Sequence, residues 1–291
     1  MITYPLTEHR PGIPGAPVGM AVSATMEAAF TIVCGLPAIL VLVLTARAMI
    51  RDRNVVMPVF LLGGIIGMFV EPILDYMGGV WWPFRGGWEA FTLLGVNVPV
   101  LVVLVYPWLL GGQGYWAYRS FERGITTRRL WQLVAIFAVN DVVLETIGIK
   151  VLGVYGYFGT QPLDFWGLPL WYVPCNAIGP VVAGALAYVL RNRLTGVRRL
   201  AAAPLFPIGY LGTYAAIGFP VWISLNSGWP MPAATLAGLA TFGLGYLLVQ
   251  LVAEITGATS GPVAAMPVTG SARELDGAPG LIPPVTIPPG R

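Results

Sequence analysis

Long apolar blocks alternate with short polar breaks along most of this chain. One block runs through "AILVLVLTARAMIRDR" and turns basic at Arg47; the next, "VVMPVFLLGGIIGMFV", closes on Glu71. Blocks of this kind reach or approach the ~20 apolar residues that a helix needs to cross the hydrocarbon of a bilayer. The pattern predicts seven spans, at about residues 27–46, 55–77, 90–110, 131–149, 168–190, 203–224 and 232–253. The fold class is therefore all-α, a polytopic membrane bundle of about seven transmembrane helices. Between spans three and four, "GGQGYWAYRSFERGITTRR" reads as a polar, aromatic loop, and "KVLGVYGYFGTQPLDFWG" joins spans four and five. Residues 1–26 form a polar, Pro/Gly-containing segment, residues 27–255 the membrane domain, and residues 256–291 a Pro/Gly-rich tail. That tail cannot bury a core and is expected to be disordered. No cleavable signal peptide is expected, because no positively charged start leads into an apolar core before the first span.

Composition strengthens this picture. The chain is 56% hydrophobic and 10% charged, against about 25% charged for a soluble domain. Eleven arginines lie in the predicted loops after spans one, three and five, whereas those after spans two, four and six hold only Arg85 and Lys150. Basic residues concentrate on the cytoplasmic side of membrane proteins. The expected topology has the N-terminus outside and the C-terminus in the cytoplasm, in a multi-pass protein of a bacterial-type cytoplasmic membrane. The arginines thus read as topology signals, and no nucleic-acid partner is expected. Cys34 and Cys175 fall inside spans, read as buried apolar residues and imply no disulfide.

The acids change the picture most. Glu71 and Asp75 lie in the outer third of span two; Asp141 and Glu145 lie in the middle-to-outer part of span four. Residues four apart share a helix face, so each pair points one way. An ionised carboxylate buried without a partner costs several kcal/mol, which makes intramembrane acids functional candidates by default. Two acids this close are not both ionised comfortably in a dry site, and an acid beside its conjugate base supplies both halves of proton transfer. Asn97, Asn140 and Asn176 are candidates for lining the same site, as are Tyr76, Tyr155 and Tyr157, although polar glue between helices and an interfacial aromatic belt compete for these roles. Glu27 and Glu89, at span starts, also suit the helix dipole.

Several chemistries lack their residues. The single histidine is His9, in the N-terminal segment, which leaves no material for histidine metal sites or Ser-His-Asp hydrolysis. There is no lysine in the seventh span, no Walker loop and no GxGxxG. The "NDVVLE" stretch could bind Mg²⁺ with a diphosphate, but no second Asp-rich motif accompanies it. No metal and no cofactor are expected.

A proline-linked acid followed by an Asx-Tyr, "EPILDY" then "GGVWWPF", combined with "DVVLE" and the loop "GVYGYFG", resembles the AveC-like spirocyclase family over about residues 55–190. Those bacterial membrane proteins are linked to spiroketal formation in macrolide polyketides, and some relatives have a dehydratase-like role. The family pattern has Asp-Pro and Asn-Tyr where this chain has Glu71-Pro72 and Asp75-Tyr76. The layout is also similar to that of small seven-span meroterpenoid cyclases and heterodimeric-type lycopene cyclases. The resemblance implies cofactor-independent ring closure of a lipophilic small molecule, with Glu71, Asp75, Asp141 and Glu145 as acid–base groups. Tyr76, Tyr155, Tyr157, Asn97, Asn140 and Asn176 would bind the substrate, and Trp82 and Trp171 would form apolar walls. Two readings of other classes stand beside it: a small proton-coupled transporter and a non-catalytic scaffold.

Overall fold

The computed structural model describes residues 15–258. The first 14 residues and the tail from residue 259 onward, including the expected disorder there, lie outside the described residues. Among the described residues, seven helices are long and apolar enough to cross a membrane: α1 (Ala24–Asp52), α2 (Val56–Gly78), α3 (Val100–Glu122), α4 (Thr127–Val151), α5 (Tyr172–Val189), α6 (Gly196–Asn226) and α7 (Met231–Thr256). The all-α multi-pass expectation holds. α5 and α3 are central, whereas α1 and α4 are peripheral and turn most of their apolar surface outward. On α1, Ile32, Leu36, Leu40 and Val43 are all exposed. An exposed stripe of this length is unstable in water and matches the hydrocarbon of a bilayer.

Local sequence explains the helix ends. Ser23 caps α1, its side chain accepting from the Met26 amide at 3.2 Å. Arg53 closes the same helix in the left-handed region, φ 50°, returning its N–H to the Ala48 carbonyl.

The third span is displaced from its expected position. Residues 90–99 were assigned to a helix by their hydrophobicity, but Glu89–Leu93 (β2) and Val96–Pro99 (β3) form an antiparallel hairpin. Its turn passes through Leu94 and Gly95, at φ 53° and 76°. Two positive φ values in a two-residue turn match the twist of the flanking strands. The helix then starts at Val100 and continues through "GGQGYWAYRSFE", the segment expected to be a loop. Gly111 and Gly112 do not break it, and Gly111 serves packing. A Cβ on Gly111 would lie 2.7 Å from the Phe60 carbonyl oxygen of α2.

Two two-residue strand pairs complete the fold at the end of the bundle away from the arginines. Val80–Trp81 (β1) pairs with Gly156–Tyr157 (β4), matching Val80 to Tyr157. Asp164–Phe165 (β5) pairs with Leu168–Pro169 (β6) through a Trp166-Gly167 turn, at φ 59° and 89°. The β1–β4 ribbon ties the loop leaving α2 to the loop leaving α4. It joins the ends of the two helices that carry the acid pairs.

Three helices depart from regular geometry beside their prolines. Met68–Val70 of α2 is a 3₁₀ turn just before Glu71-Pro72, and the Glu71 N–H bonds the Met68 carbonyl. Pro72 has no N–H for that carbonyl, and its ring crowds it; the tighter turn gives it a donor. Pro107 opens a π-helical stretch, Pro107–Gly112, in α3, and Tyr214–Gly218 of α6 is a second one, directly before Phe219-Pro220. α4 ends in a third, Ile147–Val151.

Candidate active site

Glu71 and Asp75 from α2 meet Asp141 and Glu145 from α4 around one cavity of about 60 Å³. At roughly 10–15 Å³ per water centre, it holds about four to six waters. Asp75 and Asp141 are each 2% exposed, whereas Glu71 and Glu145 are half-buried. None of the lining residues is basic. Among the described residues, no group of three or more His, Cys, Asp or Glu is placed to hold a metal ion.

Each carboxylate accepts from a neutral donor on a different element. Tyr106 of α3 donates its hydroxyl to Glu71. Trp82, just past β1, donates its indole N–H to Asp75 Oδ2 at 3.1 Å. Tyr157 of β4 donates to Glu145 Oε2 at 2.9 Å. Asn176 of α5 donates to Asp141 Oδ1 at 2.7 Å. The Asn176 oxygen in turn accepts from Tyr210, at 2.7 Å, and from Tyr214, both on α6. These two phenols orient the amide, leaving its NH₂ to face Asp141. Asp141 Oδ2 is buried with no protein partner among the described residues.

Aromatic packing sets the walls. Trp82 stacks on Tyr155 with centroids 4.0 Å apart and planes 25° from parallel. Tyr157 meets Tyr172 edge-on at 5.0 Å. Such pairs contribute about 0.5–1.5 kcal/mol beyond their buried area. Tyr172 also donates to the Leu74 carbonyl at 3.2 Å, and its ring fills the space that a side chain at Gly78 would need. Burial, then the neighbouring Glu145, holds the Tyr155 and Tyr157 hydroxyls well above the usual phenol range, so both remain protonated donors. Phe30 of α1 closes the side of the cavity, against Tyr155 and Gly148.

Of the residues singled out from sequence, Glu71, Asp75, Asp141, Glu145, Trp82, Tyr155, Tyr157 and Asn176 all line this cavity. Tyr76, Asn97, Asn140 and Trp171 do not. Asn97 sits on β3, not in a span, and donates to the Pro83 carbonyl at 2.8 Å. Trp171 is fully buried and donates to Gln161 Oε1 at 3.1 Å, while Gln161 holds the Gly78 and Phe158 carbonyls. It braces the loop between α4 and α5. Asn140 and Tyr76 each follow or precede a cavity acid by one residue. That is a 100° rotation on a helix, and it turns both away.

Sequence reading missed Tyr106, Tyr172, Tyr210 and Tyr214 as lining residues. Tyr210 and Tyr214 are four apart in "PIGYLGTY", so the same-face rule that paired the acids would have found them. Tyr172 stood out only as one of many aromatics at the outer span ends. Tyr106 was hidden by the misplaced third span, which put it near the far end of its helix; with α3 starting at Val100 it lies within two turns of the acid end.

No protein-family model, curated protein or solved structure matches this chain.

Proposed function

We propose that this protein is a cofactor-independent intramembrane cyclase of the spiroketal-forming or dehydrating type, acting on a lipophilic polyketide-like substrate. One observation carries the reading. Two carboxylate pairs from separate helices converge on one enclosed cavity, each carboxylate held by a neutral donor and none by a cation. Such a cluster shares protons among its members instead of ionising fully, so it stores acid and base together.

The chemistry asks for no more than that. A ketone and two hydroxyls close to a spiroketal with loss of one water. A carboxylic acid protonates the carbonyl oxygen, the first hydroxyl attacks, and a carboxylate takes its proton. Protonation of the resulting hemiketal hydroxyl lets water leave. The oxocarbenium cation that remains is met by the second hydroxyl, whose proton returns to the cluster. Glu71 and Glu145, the less buried of the four cavity acids, are the exchanging acid and base. Asp75 and Asp141 are their more deeply buried partners, with Asp141 Oδ2 lacking a protein partner and so left for a substrate hydroxyl. Carboxylates and the Trp82 and Tyr155 faces stabilise the cation. Terpenoid or carotenoid ring closure would use the same acid to protonate an epoxide or alkene. The resemblance to AveC-like spirocyclases favours the polyketide member.

A substrate of that size exceeds about 60 Å³, so entry requires the cavity to open. Phe30 lines the cavity from α1, a peripheral helix, and packs against Gly148 of α4, so its movement would open a side entrance. The arginine distribution supports an acid end in the outer leaflet with the N-terminus outside, and reporter fusions at each loop test that orientation.

The test of function is incubation of membranes with an uncyclised ketone-diol, and in parallel with a prenylated epoxide, followed by product mass and ring analysis. Ring closure lost in Glu71→Gln or Glu145→Gln supports the reading; unchanged turnover in all four single carboxamide variants, with the protein folded, refutes it. The small cavity also fits a proton-coupled transporter. Against that reading, the middle of the bundle is closed by backbone contacts at Gly64, Gly184 and Gly209. Proton flux in proteoliposomes, without turnover, would favour it.

A further inference from the structure

The arginine end of the bundle contains a second cavity, larger than the acidic one at about 220 Å³. It lies between the start of α2, the ends of α3 and α5, and the 3₁₀ turn that opens α6. Its depth is apolar, with Val59 and Phe60 buried, and its mouth carries the exposed guanidinium groups of Arg191 and Arg199. Arg191 is already oriented. Its guanidinium lies 3.9 Å over the Tyr188 ring, and one N–H bonds the Tyr188 carbonyl at 2.8 Å. A guanidinium has five donors, so most of them remain available. Neither arginine takes part in an ion pair among the described residues. The acid at this cavity, Glu122, is held by Arg119 at 2.5 Å. The cavity therefore offers two uncompensated guanidinium groups above an apolar floor.

We propose that this cavity binds the headgroup of one anionic phospholipid. Guanidinium groups match phosphate oxygens in a bidentate fashion. A basic pocket between membrane helices, at the depth where headgroups lie, suits such a ligand. The apolar floor distinguishes a lipid from free phosphate, which would gain nothing from Val59 and Phe60. The bound lipid would join α2, α3, α5 and the start of α6 at the end where, of these four, only α5 and α6 share a loop. This inference does not depend on the cyclase reading.

The experiment uses the purified full-length protein, delipidated in neutral detergent. Phosphatidylglycerol is added, and retention is read by native mass spectrometry alongside thermal unfolding. One lipid retained per protein, with a raised melting temperature, is expected. Arg191→Gln with Arg199→Gln should weaken retention by at least tenfold. Arg193→Gln with Arg198→Gln, on the same segment but outside the cavity, should retain lipid as the unaltered protein does. Equal losses in both double variants would mean diffuse surface charge and overturn the proposal. Equal stabilisation by inorganic phosphate would assign the site to free phosphate and overturn it as well. If the glutamine pair fails to fold, Arg191→Lys with Arg199→Lys keeps the charge but loses the bidentate geometry. Retention weakened by that pair supports the site, and undiminished retention overturns it.

Discussion

α2 carries two regions that contrast along its length. Toward Gly78 it faces α4 across a cavity bridged by the β1–β4 ribbon, and its side chains there are acids engaged by single hydrogen bonds. Around Gly64, in its middle, it meets α3 backbone to backbone. A Cβ on Gly64 would stand 2.6 Å from the Tyr106 carbonyl oxygen, and one on Gly184 of α5 would stand 2.6 Å from the Gly114 carbonyl oxygen of α3. Small residues let membrane helices approach this closely, and dispersion then holds them. The glycine-packed region has no room for a ligand and is built to stay put. The acid region gives up packing for polar groups that need partners, and those partners come from four other elements. Tyr106 links the two: its backbone packs on Gly64 while its hydroxyl holds Glu71.

The largest effects should separate these regions by what they change. Glu71→Gln or Glu145→Gln is expected to lower turnover by about 10²–10⁴-fold, the usual worth of a positioned proton-transfer group, with little change in melting temperature. Gly64→Val should do the reverse. Overpacking costs about 1–3 kcal/mol, so the melting temperature in detergent should fall while turnover per folded molecule holds. A Gly64→Val protein as stable as the parent would show that the packed half yields more than its geometry implies. Tyr106→Phe probes the junction. It removes one hydrogen bond, worth about 0.5–1.5 kcal/mol or more when the partner is charged, so turnover should fall several-fold to tenfold while the Gly64 contact survives. Trp82→Phe keeps a ring against Tyr155 but deletes the donor to Asp75, and a smaller loss is expected from the same assay. Asn140→Ala, beside Asp141 but outside the cavity, should change turnover less than twofold. A large loss there would mean that α4 turns a different face inward during catalysis.

The same contrast explains what could be read in advance. Both acid pairs were legible because helix periodicity is local: a spacing of four puts Glu71 with Asp75, and Asp141 with Glu145, without reference to anything else in the chain. The hairpin at Glu89–Pro99 was not, because apolar β-strands and apolar helix starts look alike to a hydrophobicity count. That ambiguity moved the third span by about ten residues and concealed Tyr106. Gly111 and Gly112 misled in the opposite direction. They read as loop residues, although the missing side chain of Gly111 is what lets α3 lie against α2.

From the sequence alone came the seven apolar spans, the segregation of arginines to one end and the two same-face acid pairs. Each of these depends on composition or on spacing within one helix. Only the tertiary structure decided that the pairs look into the same cavity, that Asn176 and the phenols of Tyr106 and Tyr157 are their donors, and that Trp171 and Asn97 serve the scaffold. It also set the cavity at about 60 Å³. The reason is that a helix's own periodicity tells which residues share its face, but not which neighbour that face will meet. That choice is made by packing between segments far apart in the chain, here by glycine contacts in the middle of the bundle and by a two-residue ribbon at its acid end.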